Sequence, residues 1–130
     1  MNSSASRVDV VSTAAAPEPA GAYSQGIVVG DFLFTSGIFG LDPETGRLPE
    51  SVEDQTRQTL LNIEAVLAAR GLSLADVVKA TVHLQDVNGD FDAFNRVYES
   101  MFEAPYPVRT TVGSDLRNLL VEIDVVARLR

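Results

Sequence analysis

The alternation of apolar and polar positions changes period several times along the chain, and each change marks an element. After a small, polar opening stretch, Met1 to Arg7, which reads as a flexible N-terminal tail, Val8, Val10 and Val11 predict a short strand. Thr13 to Ala22 is rich in Ala and Pro. Pro17 and Pro19 each remove a backbone donor, so this stretch reads as an extended loop leading to Tyr23. Ile27-Val28-Val29 and Phe32-Leu33-Phe34-Thr35 flank Gly30-Asp31, a pair suited to a two-residue hairpin turn.

Asp42-Pro-Glu-Thr-Gly46 is a second turn signal. Beyond it Ser51 is placed as a helix N-cap, with Asp54 in the position of a weak capping box. Val52, Thr56, Leu60, Ile63 and Leu67 recur at helical spacing, and Gly71 supplies a left-handed end. Val78, Ala80, Val82 and Leu84 then alternate with Lys79, Thr81, His83 and Gln85, the period of a strand with one apolar face. Asn88-Gly89 reads as a turn, and Asp90 as the cap of a second helix with Phe91, Phe94, Val97, Met101 and Phe102 as its buried stripe. Pro105 and Pro107 close that helix. Val108–Val112 and Leu119–Leu129 read as two final strands forming a hairpin across a polar loop.

The order strand, hairpin, helix, strand, helix, two strands predicts an α+β domain, a split βαβ layer with both helices on one face of a single sheet. Phe32 and Phe34 are apolar on the side opposite Leu33, so the other face of the sheet is expected to be covered by a second copy of the chain.

Composition narrows the function. The 130 residues fit a single domain spanning 1–130, long enough to build a core without staples. There are no cysteines, which excludes disulfides, thiolate metal sites, iron–sulfur clusters and a cysteine nucleophile. The formal net charge is −8, and the ten basic residues form no run and no aromatic-interleaved platform, so neither nucleic acid nor an anionic membrane is the expected partner. With no long apolar span and no signal-like N-terminus, the expectation is a cytoplasmic protein.

Candidate chemistry is sparse. There is no Walker loop, no GxGxxG, no HExxH and no nucleophile elbow. The one histidine, His83, lies on the polar face of its strand; it reads as a solvated or interface residue, with a catalytic base as the sharper alternative. Arg109 is more informative. Alternation places it with Thr111 on the face opposite Val108, Thr110 and Val112, where a guanidinium needs an anionic partner. Glu122 similarly interrupts the apolar run Leu119 to Ala127. An Arg109–Glu122 salt bridge across the expected hairpin and a ligand-binding Arg109 are both open on this evidence.

Taken together, Tyr23-Ser-Gln-Gly26, Thr35-Ser-Gly37, Asp42-Pro-Glu-Thr-Gly46, Phe94-Asn-Arg-Val-Tyr98, Pro107-Val-Arg-Thr110 and Val121-Glu-Ile123 resemble, in order and from about Val10 to Ala127, the Rid (YjgF-type) reactive-intermediate deaminases. The resemblance implies a chorismate-mutase-like fold, a homotrimer with ligand sites between subunits, and no cofactor or metal. It implies hydrolysis of imines and enamines, such as 2-aminoacrylate or 2-iminobutanoate, to 2-keto acids and ammonia. A small-carboxylate-binding or chaperone-like trimer of the same family is the alternative. Carried over onto this sequence, Arg109 binds the substrate carboxylate and Glu122 positions the attacking water, while Tyr23, Ser36, Gly37, Asn95 and Thr111 fall at pocket or supporting positions. Leu116-Arg117 stands where the family commonly has Leu-Pro, Ile38 where a Gln is frequent, and Ala22 where a Pro precedes the Tyr, changes that bear on substrate range.

Overall fold

The computed structural model describes residues 8–130; the expected N-terminal tail, 1–7, lies outside them. Six strands, β1 (Asp9–Val11), β2 (Gly26–Val29), β3 (Phe32–Thr35), β4 (Val77–Leu84), β5 (Val108–Gly113) and β6 (Val121–Arg128), form one sheet. Two helices, α1 (Val52–Ala68) and α2 (Val87–Met101), cover one of its faces, as the alternation of elements predicted. The spatial order is β1-β2-β3-β6-β4-β5. β4 and β5 run parallel, joined through α2, and every other neighbour pair is antiparallel.

Local chemistry explains most boundaries. Gly30 takes φ +59° in the β2–β3 turn, a conformation that costs a residue with a Cβ. Ser51 caps α1, its side chain accepting from the Asp54 N–H at 3.1 Å. Gly71 follows the helix at φ +70°, and the Leu72 N–H returns to the Leu67 carbonyl at 3.0 Å. The apolar stripe of α1, Val52, Leu60, Ile63, Val66 and Leu67, packs with Leu33, Ala80, Val82, Ile123 and Val125 of the sheet into a continuous core.

Three expectations are corrected. The chain does not turn at Asn88-Gly89: Asp86 caps α2 by accepting from the Gly89 N–H at 3.1 Å, so both residues lie in the first helical turn and Asp90 is inside the helix. An irregularity between Val77 and Lys79 shifts the start of β4, so that Val77 enters the core while Val78 is exposed. β5 and β6 are not a hairpin. β4 lies between them, pairing in parallel with β5 and antiparallel with β6. The stripe of α2 also differs in detail: Phe94, Val97 and Tyr98 are buried, whereas Phe91 and Met101 are half-buried at its edges.

The sheet face away from the helices carries Phe32, Phe34, Val108 and Val112, all exposed, together with Lys79, His83, Glu122 and Asp124. The apolar two-sidedness read from the sequence is therefore real, and the four residues lie on β3 and on the edge strand β5, on either side of the β6–β4 pair that carries the charged residues.

Candidate functional site

The predicted site residues fall into two groups on opposite faces of the sheet. Registers fix this. Arg109 pairs with Ala80, which pairs with Val125, and both partners are buried under the helices. Glu122 pairs with His83, which pairs with Val112, on the open face. Arg109 and Glu122 therefore project to opposite sides, and the salt bridge that a β5–β6 hairpin would have allowed does not form.

The first group surrounds Arg109. Alternation along β5 turns Arg109 and Thr111 toward α2, whose Phe91, Asn95 and Tyr98 lie on the facing side. The guanidinium carbon lies 4.6 Å from the Tyr98 ring centroid, 5.5 Å from that of Phe94 and 5.8 Å from that of Phe91, all within cation–π range. One guanidinium nitrogen donates to Asn95 Oδ1 at 2.8 Å, and Asn95 Nδ2 donates to Glu99 Oε1 at 3.0 Å. Among the described residues Arg109 forms no ion pair. Its charge is held by rings and an amide, and it borders an open cavity of about 330 Å³ walled by Asn95, Tyr98, Glu99, Tyr106 and Pro107. Burial raises the Tyr98 phenol above its ordinary pKa, with the Arg109 charge acting in the opposite sense. The Tyr98 hydroxyl and Thr111 Oγ1 are buried without hydrogen-bond partners.

The second group surrounds Glu122. From Phe34, opposite Val126, to Ile38, opposite Ile123, the chain uses one more residue than β6 does, a bulge at Thr35-Ser36-Gly37. Thr35 Oγ1 fills the broken ladder by accepting from the Val125 N–H at 3.0 Å, and Ile38 re-pairs with Ile123 through bonds of 2.8 and 2.9 Å. The bulge brings Gly37 against Glu122: a Cβ on residue 37 would stand 2.6 Å from Glu122 Oε1. Ser36 donates its N–H to the Gln25 carbonyl at 3.0 Å. Together with Tyr23, Pro17 and Phe39, Ser36 and Gly37 wall a narrow cleft of about 20 Å³. Tyr23 is exposed, its hydroxyl accepting from the Ala20 N–H at 3.1 Å.

Three contributors escaped the sequence reading. Gln25, 5% exposed, clamps the Ala/Pro loop: its Oε1 accepts from the Thr13 N–H at 2.7 Å, and its Nε2 donates to the Thr13 and Pro17 carbonyls at 3.0 and 2.8 Å. Tyr98 and Glu99 complete the surroundings of Arg109. Their spacing from Asn95, three and four residues, is a helical signal that was available in the sequence. His83 Nδ1 lies 2.6 Å from Ser114 Oγ on the open face, so it is occupied locally. Among the described residues no cluster of His, Asp and Glu is arranged to hold a metal ion, and no helix is long and apolar enough to cross a membrane.

Comparison with known proteins agrees with this architecture. The family model described as Endoribonuclease L-PSP matches residues 13–129. A RutC family protein of Pyrococcus horikoshii is 44% identical over 122 residues, covering 92% of this chain and 96% of its own. Reactive Intermediate Deaminase A, chloroplastic, of Arabidopsis thaliana is 42% identical over 132 residues, covering 99% of this chain and 70% of its own. The crystal structure of Escherichia coli TdcF with bound serine superposes with a TM-score of 0.88 at 37% identity, covering 94% of this chain and 99% of that one. With the sheet order, the bulge at Gly37 and these matches in hand, the chain belongs to the Endoribonuclease L-PSP family, the Rid (YjgF) proteins.

Proposed function

We propose that this protein is an imine/enamine deaminase. It hydrolyses reactive intermediates such as 2-aminoacrylate or 2-iminobutanoate to 2-oxo acids and ammonia, in sites formed between the subunits of a homotrimer. The observation that carries the reading is Arg109: a half-buried cation, oriented by Asn95 and three aromatic rings, with no ion pair among the described residues and with an open cavity beside it. A guanidinium held this way is complete only with an anion, and its planar fork matches a carboxylate. The relative named Reactive Intermediate Deaminase A, and the serine bound to TdcF, itself a small amino acid carboxylate, support the same class of ligand.

The residues divide the work. Arg109 binds the substrate carboxylate through two charge-assisted hydrogen bonds, Asn95 orients the guanidinium and Thr111 supports the same wall. Glu122, backed by Gly37, takes a proton from water as the oxygen adds to the imine carbon; the imine nitrogen gains a proton, and the resulting carbinolamine expels ammonia as the C=O forms. Atoms balance as imine plus water giving 2-oxo acid plus ammonia, and an enamine enters the same route after tautomerising to the imine. No covalent nucleophile is needed, because a protonated imine is already electrophilic and the protein contributes orientation. Tyr23 and Ser36 wall the Glu122 side of the cleft.

Arg109 and Glu122 lie on opposite faces of their own chain, so the arrangement that lets both reach one substrate is the meeting of the Arg109 face of one subunit with the Glu122 face of another. The exposed Phe32, Phe34, Val108 and Val112 supply apolar surface for such an assembly. The name of the family model points to RNA, but a chain of net charge −8 supplies little phosphate binding, and the open cavity of about 330 Å³ at Arg109 has ample room for a small carboxylate ligand.

The test is to generate 2-iminobutanoate in place with a threonine dehydratase and follow its loss. Wild type accelerates the loss over buffer and Arg109→Ala does not. Equal rates with and without wild-type protein, across several imino acids, would remove the deaminase reading.

A further inference from the structure

Asn95, Tyr98 and Glu99 occupy one side of α2, at the i, i+3 and i+4 positions that bring side chains together. Each bears on Arg109 differently. Tyr98 offers a ring face 4.6 Å from the guanidinium carbon and is 3% exposed, locked between Phe94 and Phe102 at centroid distances of 5.6 and 4.5 Å. Its hydroxyl has no partner and no contact with solvent, so the ring and not the hydroxyl meets Arg109. Glu99 is exposed and forms no ion pair with Arg109; its carboxylate instead accepts from Asn95 Nδ2, which leaves Asn95 Oδ1 as the atom turned to the guanidinium. A free amide could present either its oxygen or its NH₂ to Arg109, and the NH₂ would repel the cation.

We propose that Tyr98 and Glu99 are positioning residues of the Arg109 carboxylate site, Tyr98 by stacking beneath the guanidinium and Glu99 by fixing the orientation of the Asn95 amide. This deepens the proposed deaminase reading and rests on Arg109 binding a carboxylate. The logic is that a carboxylate placed directly on Arg109 would compete with the substrate. Rings and an amide oxygen hold the guanidinium without neutralising it, and Glu99 acts one bond removed.

The two contributions are separable by experiment, using 2-oxobutanoate binding by calorimetry as a readout independent of turnover. Tyr98→Leu weakens 2-oxobutanoate binding about tenfold by removing the ring, while Tyr98→Phe, which keeps the ring, binds as wild type does. Glu99 gives the sharper discrimination. Were Glu99 only a negative charge near an anion site, Glu99→Ala and Glu99→Gln would both tighten binding. As a positioning residue it gives the opposite: Glu99→Ala weakens binding, and Glu99→Gln, whose amide oxygen still accepts from Asn95, restores it.

Tighter binding by Glu99→Ala, or equal losses in Tyr98→Phe and Tyr98→Leu, would overturn the inference; so would a wild-type protein that binds no 2-oxobutanoate. If Tyr98→Leu does not fold, the exposed Glu99 pair decides the matter alone. A protein showing the expected binding pattern yet failing to accelerate imine loss upholds the positioning roles while the deaminase reading falls.

Discussion

Arg109 and Glu122 sit on opposite faces of the same sheet, on strands separated by β4, although only twelve residues lie between them in the sequence. The insertion of β4 between β5 and β6 is what separates them. Had the two strands paired as a hairpin, the pair could have neutralised itself. The topology instead keeps one cation and one carboxylate apart within the chain, where in the proposed trimer each would meet a neighbouring subunit.

This relationship predicts complementation between inactive variants. Arg109→Ala retains Glu122, and Glu122→Ala retains Arg109, so each homotrimer is expected to be inactive. In trimers reassembled from equal amounts of the two, a site is intact when its Arg109 comes from one variant and its Glu122 from the other. Random mixing makes this about one site in four, so about a quarter of wild-type activity returns. A mixture as inactive as its components, after mass spectrometry has confirmed mixed trimers, would place both residues' work within single chains.

Gly37 yields a second prediction. A methyl group at this position would stand 2.6 Å from Glu122 Oε1, so Gly37→Ala must push the carboxylate from its place. The neighbour is the end of a flexible side chain and the position is half-exposed, so the fold survives with little change in melting temperature. Displacing a proton-handling carboxylate by an ångström or so lowers kcat about a hundredfold. Steady-state kinetics beside a thermal melt check this; an unchanged kcat would mean that the carboxylate does not act from the seen position.

How much of this was legible in the sequence varies with the range of the interaction. The hairpin at Gly30-Asp31, the Ser51 cap, the stripe of α1 and the count of six strands are set by local chemistry and were readable. The hairpin expected from β5 and β6 was not, because period-two alternation reports which face a residue takes but not which strand lies beside it. Alternation did place Arg109 on the face opposite Val108 and Val112, as the strand register has it. Its relation to Glu122 depended on strand order, and the contact of Gly37 with Glu122 depended on a bulge that alternation does not encode. The start of α2 was misplaced because Asn-Gly is a turn signal in general, while Asp86 two residues earlier already satisfies the Gly89 N–H.

Gln25 is a third test, this time of the Ala/Pro loop that walls the narrow cleft together with Ser36 and Gly37. Its side chain makes bonds of 2.7, 3.0 and 2.8 Å to the backbone at Thr13 and Pro17, inside a segment that two prolines prevent from pairing within itself. Gln25→Leu keeps most of the volume but leaves those backbone groups unpaired, at a cost of about 2–3 kcal/mol in unfolding free energy. Tyr23 rides on the same loop, so KM for the imine rises as well. Denaturant unfolding and kinetics measured on the same preparation check both; a stability within error of wild type would show that the loop is held by other means.

Asp76 gives a prediction in pH. Arg130, at 2.8 Å, is the largest influence holding its carboxyl below the usual carboxylate range, helped by the Ser73 N–H, which donates to it at 2.8 Å, while partial burial opposes the shift. A folded pKa below the unfolded one means that the ionised form is favoured by folding. The contribution is therefore fully present above the unfolded value of about 3.9 and is lost as pH falls through the lowered folded value. Asp76→Asn is expected to be less stable than wild type at pH 7, and the difference shrinks as the solution is acidified below pH ~4. The same loss in Arg130→Gln would locate the effect in the clasp between Arg130 and the turn that leads into β4. A stability difference constant from pH 7 to pH ~2 would show instead that Asp76 acts through its hydrogen bonds alone, independent of its charge.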